Sequence, residues 1–250
     1  MKRTLNNILG ISIMLVTLFS ACKKEDKATE GDLTIKLSHA WGMSGATFAL
    51  NTDLVHPMNG DTMNFSKFKY YVSNIKLKKD DGNWWVHPES YFLVDLSNTA
   101  SLNLALENVP VGEYTEMTYT LGVDSTRNVS GAQSGALSTT MDMFWSWTTG
   151  YIMVKAEGNS PQSTSGNFVF HLGGFSGANN IVTKKNIQFT ADKLTISGDK
   201  TSEVYIIANP AKLFHADPLS DGTTLMMPGA KAIRMSSNFY GGFVFDKIVE

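Results

Sequence analysis

From Asp32 onward the apolar residues of this chain recur at every second position in short runs, and a period of two builds sheets, not helices. Leu33, Ile35 and Leu37 alternate with Thr34, Lys36 and Ser38, the pattern of a half-buried strand. A second strand runs through Phe68, Tyr70, Val72 and residues 75–77, and stops at the turn sequence Asp80-Asp81-Gly82-Asn83. Residues 84–86 and 91–96 continue the sheet, and the turn at 109–114 leads into a strand over 115–123. Further strands are expected over 151–157, 166–172, 186–190 and 204–208. Turn residues recur at short intervals and no long stretch has a helical period. The expectation is therefore an all-β fold, one antiparallel β-sandwich over residues 32–250. Short helical turns are expected near 209–215, where Pro210 suits a first turn, and near 137–143.

Composition narrows the function classes. The 250 residues carry 21 Lys+Arg against 23 Asp+Glu, and 11% of them are aromatic. That excludes a chain disordered throughout and a large basic footprint for nucleic acid. A single cysteine excludes a disulfide scaffold and a Cys-rich zinc site. That cysteine, Cys22, closes a distinctive head. Lys2 and Arg3 form a positive start, residues 8–19 an apolar run too short to span a bilayer, and Phe19-Ser20-Ala21-Cys22 resembles a bacterial lipobox. The expectation is a signal peptide over 1–22, a lipidated Cys22 at the mature N-terminus, and a charged, flexible tether over 23–31. The domain would then face water outside the cytoplasm, held by lipid to the outer membrane.

Catalytic signatures are lacking. No Gly-x-Ser-x-Gly elbow occurs, no cysteine remains beyond Cys22, and no glycine loop follows a strand to open a helix and cradle phosphate. The expectation is a protein that is not an enzyme. What remains is imidazole and thioether: His39, His56, His87, His171 and His215, and methionines that are plentiful after Met1 and Met14 leave with the signal. Imidazole suits copper, zinc, iron and nickel, and thioether favours Cu(I). Alone on a strand, each histidine reads first as a satisfied polar residue and each methionine as core filler. Two local patterns raise the odds of a site. His39 and Trp41 share a face if the first strand continues, and Met143, Trp145 and Trp147 share a face in extended chain. Trp-x-Trp is also the pattern of an aromatic core face or a glycan-stacking platform.

At these residues the sequence resembles a known family. The run from Met143 to Tyr151, Met-Phe-Trp-Ser-Trp-Thr-Thr-Gly-Tyr, is similar to a segment of the MbnP-like copper-binding proteins. The strand over 68–77, the stretch 109–114 followed by Leu121-Gly122-Val123-Asp124 and Asn128, and Phe170-His171-Leu172-Gly173-Gly174 resemble three further motifs of that family, in the family's order. The resemblance implies a β-sandwich outside the cytoplasm that binds one copper ion. It implies a partner as well, a di-haem cytochrome of the peroxidase type that oxidises a tryptophan to kynurenine and so supplies an amino-ketone near the metal. It makes His39 and His171 the imidazole ligands, with Met143, a carbonyl or water as a third donor. Trp145, Trp147 and Trp41 become candidates for modification or for shielding the metal. The chain departs from some relatives in lacking a Cys pair, and in having Val129 where they carry a histidine after the asparagine. The alternative expectation is a surface lipoprotein that binds glycan or protein through Trp84, Trp85, Trp145 and Trp147.

Overall fold

In the computed structural model, which describes residues 28–146 and 148–250, Leu33, Ile35 and Leu37 turn to one side of their strand and are buried. Residues 1–22 with Cys22, most of the expected tether, and Trp147 lie outside the described residues. The chain opens with β1 (Glu30–Trp41), β2 (Ala46–Thr47), β3 (Asp53–Val55) and the 18-residue β4 (Thr62–Lys79). Next come β5 (Trp84–Val86), β6 (Tyr91–Asp95), β7 (Asn103–Pro110), β8 (Gly112–Leu121) and a short helix α1 (Ser125–Val129). After it run β9 (Phe144–Ser146), β10 (Gly150–Asn159), β11 (Asn167–Gly173), β12 (Thr183–Gln188), β13 (Leu194–Ile196) and β14 (Thr201–Ala208). The chain ends with β15 (Thr224–Leu225), α2 (Ala230–Tyr240) and β16 (Val244–Val249).

These strands make two sheets around one apolar cluster. The smaller has the order β16-β14-β1-β2, with β7 also on β1. The larger runs β12-β8-β4-β10-β11-β15, with short strands added along β4, β8 and β10. The architecture is the expected all-β sandwich, with two corrections. First, the sheets are not wholly antiparallel. β1 and β14 pair in parallel from Asp32↔Thr201 to His39↔Ala208, and so do β11 and β15. Partners so far apart in sequence need no hairpin, so nothing local forces them to run antiparallel.

Second, α2 was not expected. Its buried residues Ala232, Met235, Ser236, Phe239 and Tyr240 do follow a helical spacing, but Ala and Ser carry little hydropathy signal. Phe239 seals one side of the core, with its ring 5.4 Å from both Phe68 and Tyr70, edge-on. The expected short helical turns are present as 3-10 helices at Pro210–Phe214, Gly135–Leu137 and Thr139–Met141.

Candidate metal centre

Alternation along β11 decides where His171 goes. Phe168 and Phe170, with Leu172, belong to the buried core, and Phe170 packs 5.3 Å from Phe214. Odd and even residues of a strand face opposite ways, so His171 points to the outer face of the large sheet. There its cross-strand neighbour is Lys155 on β10, and Glu157 lies one step diagonally away. His171 Nε2 donates to Glu157 Oε1 at 2.7 Å. Glu157 also meets Lys67 Nζ at 3.1 Å and Lys155 Nζ at 3.8 Å, and Lys155 meets Asp142 at 2.9 Å. Two carboxylates thus balance two ammonium groups around the ring.

The protonation states follow from this setting. Burial lowers the His171 pKa, the bond to Glu157 opposes it, and the Lys155 charge lowers it further; the net result is a neutral imidazole. Burial alone would raise the Glu157 pKa, but the bonds from His171 and Lys67 and the lysine charges outweigh it, so the carboxylate stays ionised. A neutral ring that gives its Nε2 proton to a carboxylate keeps its lone pair on Nδ1. That Nδ1 is buried and has no hydrogen-bond partner. A carboxylate holding one ring nitrogen so that the other is free is the arrangement metal-ligating histidines use.

The segment before β10 folds back over this face. After the 3-10 turn Thr139–Met141, Asp142 takes a left-handed conformation (φ 59°), which brings its carboxylate to Lys155. β9 then pairs with the start of β10, Ser146 opposite Gly150 and Phe144 opposite Tyr151. Ile152 N donates to Met143 O at 2.9 Å, and the Met143 side chain is completely buried. The Trp145 ring lies on Gly173, where a Cβ would run into its Cζ3 atom; only glycine leaves that space. Gly173 shares a face with His171, about 7 Å along the strand. Trp145 Nε1 is a second buried nitrogen without a hydrogen-bond partner. An indole N–H has no other use than donation, and leaving it unmet in the interior costs about 1–3 kcal/mol.

His39 does not join this group, and the expectation that it shares an ion with His171 is corrected. His39 faces inward from β1, and its Nε2 shares a 2.9 Å hydrogen bond with the Tyr70 hydroxyl. Tyr70 belongs to the inner face of β4 and packs on Phe68 and Phe239. Between β4 and β11 stands β10, so Tyr70, which holds His39 on the inner side, is two inter-strand steps of about 4.8 Å from the strand of His171, whose ring is on the outer face. Burial pushes the His39 pKa down to about 4. Trp41 is also placed elsewhere: its Nε1 donates to Val55 O at 2.8 Å and its ring stacks on Phe48. It is a satisfied core residue, remote from the outer face.

Other sequence candidates resolve similarly. Asn128 is a clasp: it gives hydrogen bonds to Val123 O and Asp124 O and accepts one from Tyr151 N at 2.9 Å, fixing α1 against the start of β10. Trp84 and Trp85 pair with the far end of β4 at Lys78 and Leu77, away from Trp145, so these described tryptophans form no continuous platform. Among the described residues no group of three or more His, Cys, Asp or Glu is placed to hold a metal. A metal at the outer face therefore needs donors beyond those types. Glu157, Lys155 and Asp142 were missed in the sequence, and Gly173 was read only as part of the motif around His171. For Lys155 and Glu157 the only signal was their two-residue spacing along β10, which carries no meaning until the β10–β11 register is known.

The comparisons with known proteins agree with this fold. The solved structure of MbnP from Methylosinus trichosporium is similar at a TM-score of 0.52 and 14% sequence identity, covering 82% of this chain and 84% of that one. Among curated proteins none matches. The sequence profile of the MbnP family matches residues 30–228, from the start of β1 to the turn before α2, and the chain belongs to that family.

Proposed function

We propose that this protein is an extracytoplasmic copper-binding lipoprotein, and that its metal centre is the outer-face group around His171. The observation that carries the reading is the free, buried Nδ1 of a neutral His171 whose other nitrogen is tied to Glu157. The donor inventory fits copper better than zinc. Beside one imidazole, the candidate donors are Trp145, whose ring lies on Gly173 two residues from His171, and Met143, two residues before Trp145 in the same segment. Thioether and nitrogen donors without thiolate suit Cu(I) and tolerate Cu(II).

Trp145 enters through its unpartnered Nε1. When a tryptophan is oxidised to kynurenine, the pyrrole ring opens and that nitrogen becomes an arylamine with a usable lone pair. An intact indole N–H offers none. The reading therefore includes a maturation step by a di-haem cytochrome of the peroxidase type, with Trp145 or Trp147 as the residue changed. Copper bound there would supply redox or carrier chemistry. The chain's own residues set the ring tautomer through Glu157, shield the site with the Trp145 ring, and balance charge with Lys155 and Asp142. The lipid on Cys22 would keep the domain at the outer membrane. No helix among the described residues is long and apolar enough to cross a membrane.

Copper analysis and intact mass of protein made with and without the haem partner test this. The expected result is tight copper binding only in the form whose mass shows an oxidised tryptophan, and its loss in His171→Ala and Trp145→Phe. Undiminished binding in His171→Ala refutes the assignment. The His39→Gln variant is expected to bind as the parent does.

A further inference from the structure

Apart from the group around His171, two turns each carry a methionine where turn chemistry favours Asn, Asp, Ser or Gly. Met43 sits between Gly42 and Gly45, both at φ 71°, and is 99% exposed. Met58 follows Pro57 in the 57–60 turn and is 64% exposed. A thioether held in water gives up the burial that normally justifies methionine.

The two turns touch. Gly42 packs so closely on Pro57 that a Cβ on it would press on the proline Cγ at 2.9 Å, so Met43 and Met58 leave the backbone one residue after a contacting pair. Both line a cleft of about 230 Å³ together with His215, which caps the 3-10 helix Pro210–Phe214. The bases of the three segments are tied. Gly42 N donates to Asn209 Oδ1 at 3.1 Å, and Asn209 Nδ2 donates back to Gly42 O at 3.0 Å. His56 Nε2 donates to Ala211 O at 2.9 Å while its Nδ1 accepts from Met58 N and Asn59 N. His56 is thus fully used as a brace, and the His215 ring has no hydrogen-bond partner among the described residues.

We propose that Met43, Met58 and His215 form a second metal site, for a soft monovalent cation such as Cu(I), separate from the outer-face centre. Two thioethers and an imidazole are a soft donor set. No carboxylate lines the cleft among the described residues, and its one charged side chain is Lys212. A hard divalent ion would find no anionic oxygen and an adverse charge there. A single positive charge on a polarizable ion is repelled least and bonded most.

The test is titration of the full chain, with methyl-labelled methionine, by Ag(I), a redox-inert probe for Cu(I). Met43→Leu and Met58→Leu assign the two methyl resonances and keep the apolar volume. The expected result is that both methyls shift together with Ag(I) and neither shifts with Mg(II). His215→Ala is expected to weaken that response by more than about tenfold, a typical effect of losing a group that supports a metal. The response persists in His171→Ala, which separates this site from the outer-face reading. Unmoved Met43 and Met58 methyls, or an unchanged titration in His215→Ala, overturn the proposal.

Discussion

Replacing His39 by Gln should flatten the acid side of the stability profile. His39 is 8% exposed, its ring is bonded to Tyr70, and its pKa falls from 6.5 to about 4 through burial. In the unfolded chain the same imidazole titrates at its ordinary value. As pH drops below about 6.5, the unfolded state therefore takes up a proton that the folded state refuses. The stabilisation from the neutral ring is complete above that pH and drains as pH falls toward 4, where both states are protonated. Its full size is about 3 kcal/mol, a large part of the roughly 5–15 kcal/mol that holds a domain together. By about pH 5.5 roughly 1.4 kcal/mol of it should be gone, and by about pH 4.5 roughly 2.6 kcal/mol. Glutamine keeps an amide for the Tyr70 hydroxyl but does not titrate. Urea unfolding of both proteins at a series of pH values reads the difference, because every carboxylate and the other histidines remain common to the pair. The two curves should converge as pH falls. If they run parallel from about pH 7.5 to 4.5, His39 is not a buried neutral base and the reasoning fails.

Other substitutions follow from contacts described above. Gly173→Ala should destabilise by about 1–3 kcal/mol through overpacking against Trp145 and shift the tryptophan emission, both read in one fluorescence-monitored unfolding curve. Asn128→Ala strands Tyr151 N and Val123 O, while Asp124 O keeps the backbone N–H of residue 128, and should cost at least about 2 kcal/mol, measured by the same denaturation. Glu157→Gln should raise the copper dissociation constant by about 10–100-fold, since an amide holds the His171 tautomer less firmly than a carboxylate. Cys22→Ser should move the protein from the membrane fraction to the soluble fraction, and a variant that stays membrane-bound after a high-salt wash would exclude the lipid anchor.

The sequence made the sandwich readable because its signal is local. Leu33, Ile35 and Leu37 announce a buried face without help from the rest of the chain, and Pro210 marks its 3-10 turn on its own. The site is different. His171 was recognisable as a candidate, but the parity that separates it from His39 belongs to the pairing of β4, β10 and β11. Glu157 is visible as a partner only once Lys155 is known to stand opposite His171. Trp41 and Trp145 look alike in the sequence; one is satisfied by Val55 O and the other has an orphaned nitrogen. Helix α2 escaped because its buried face includes Ala232 and Ser236, residues whose burial reflects close packing rather than hydropathy.

The parallel pairing of β1 with β14 sets an order in time as well as in space. The strand that begins the described chain has its neighbour at Thr201–Ala208, so the small sheet cannot close until nearly all of the chain is present. Until then Leu33, Ile35 and Leu37 form an uncovered apolar stripe at one end of a growing polypeptide. Closing so long a loop carries a high entropic barrier, which places folding in the slow, millisecond-to-second range of high contact-order domains. A chain truncated before residue 201 should therefore collect as an aggregating intermediate rather than as a smaller, stable sandwich.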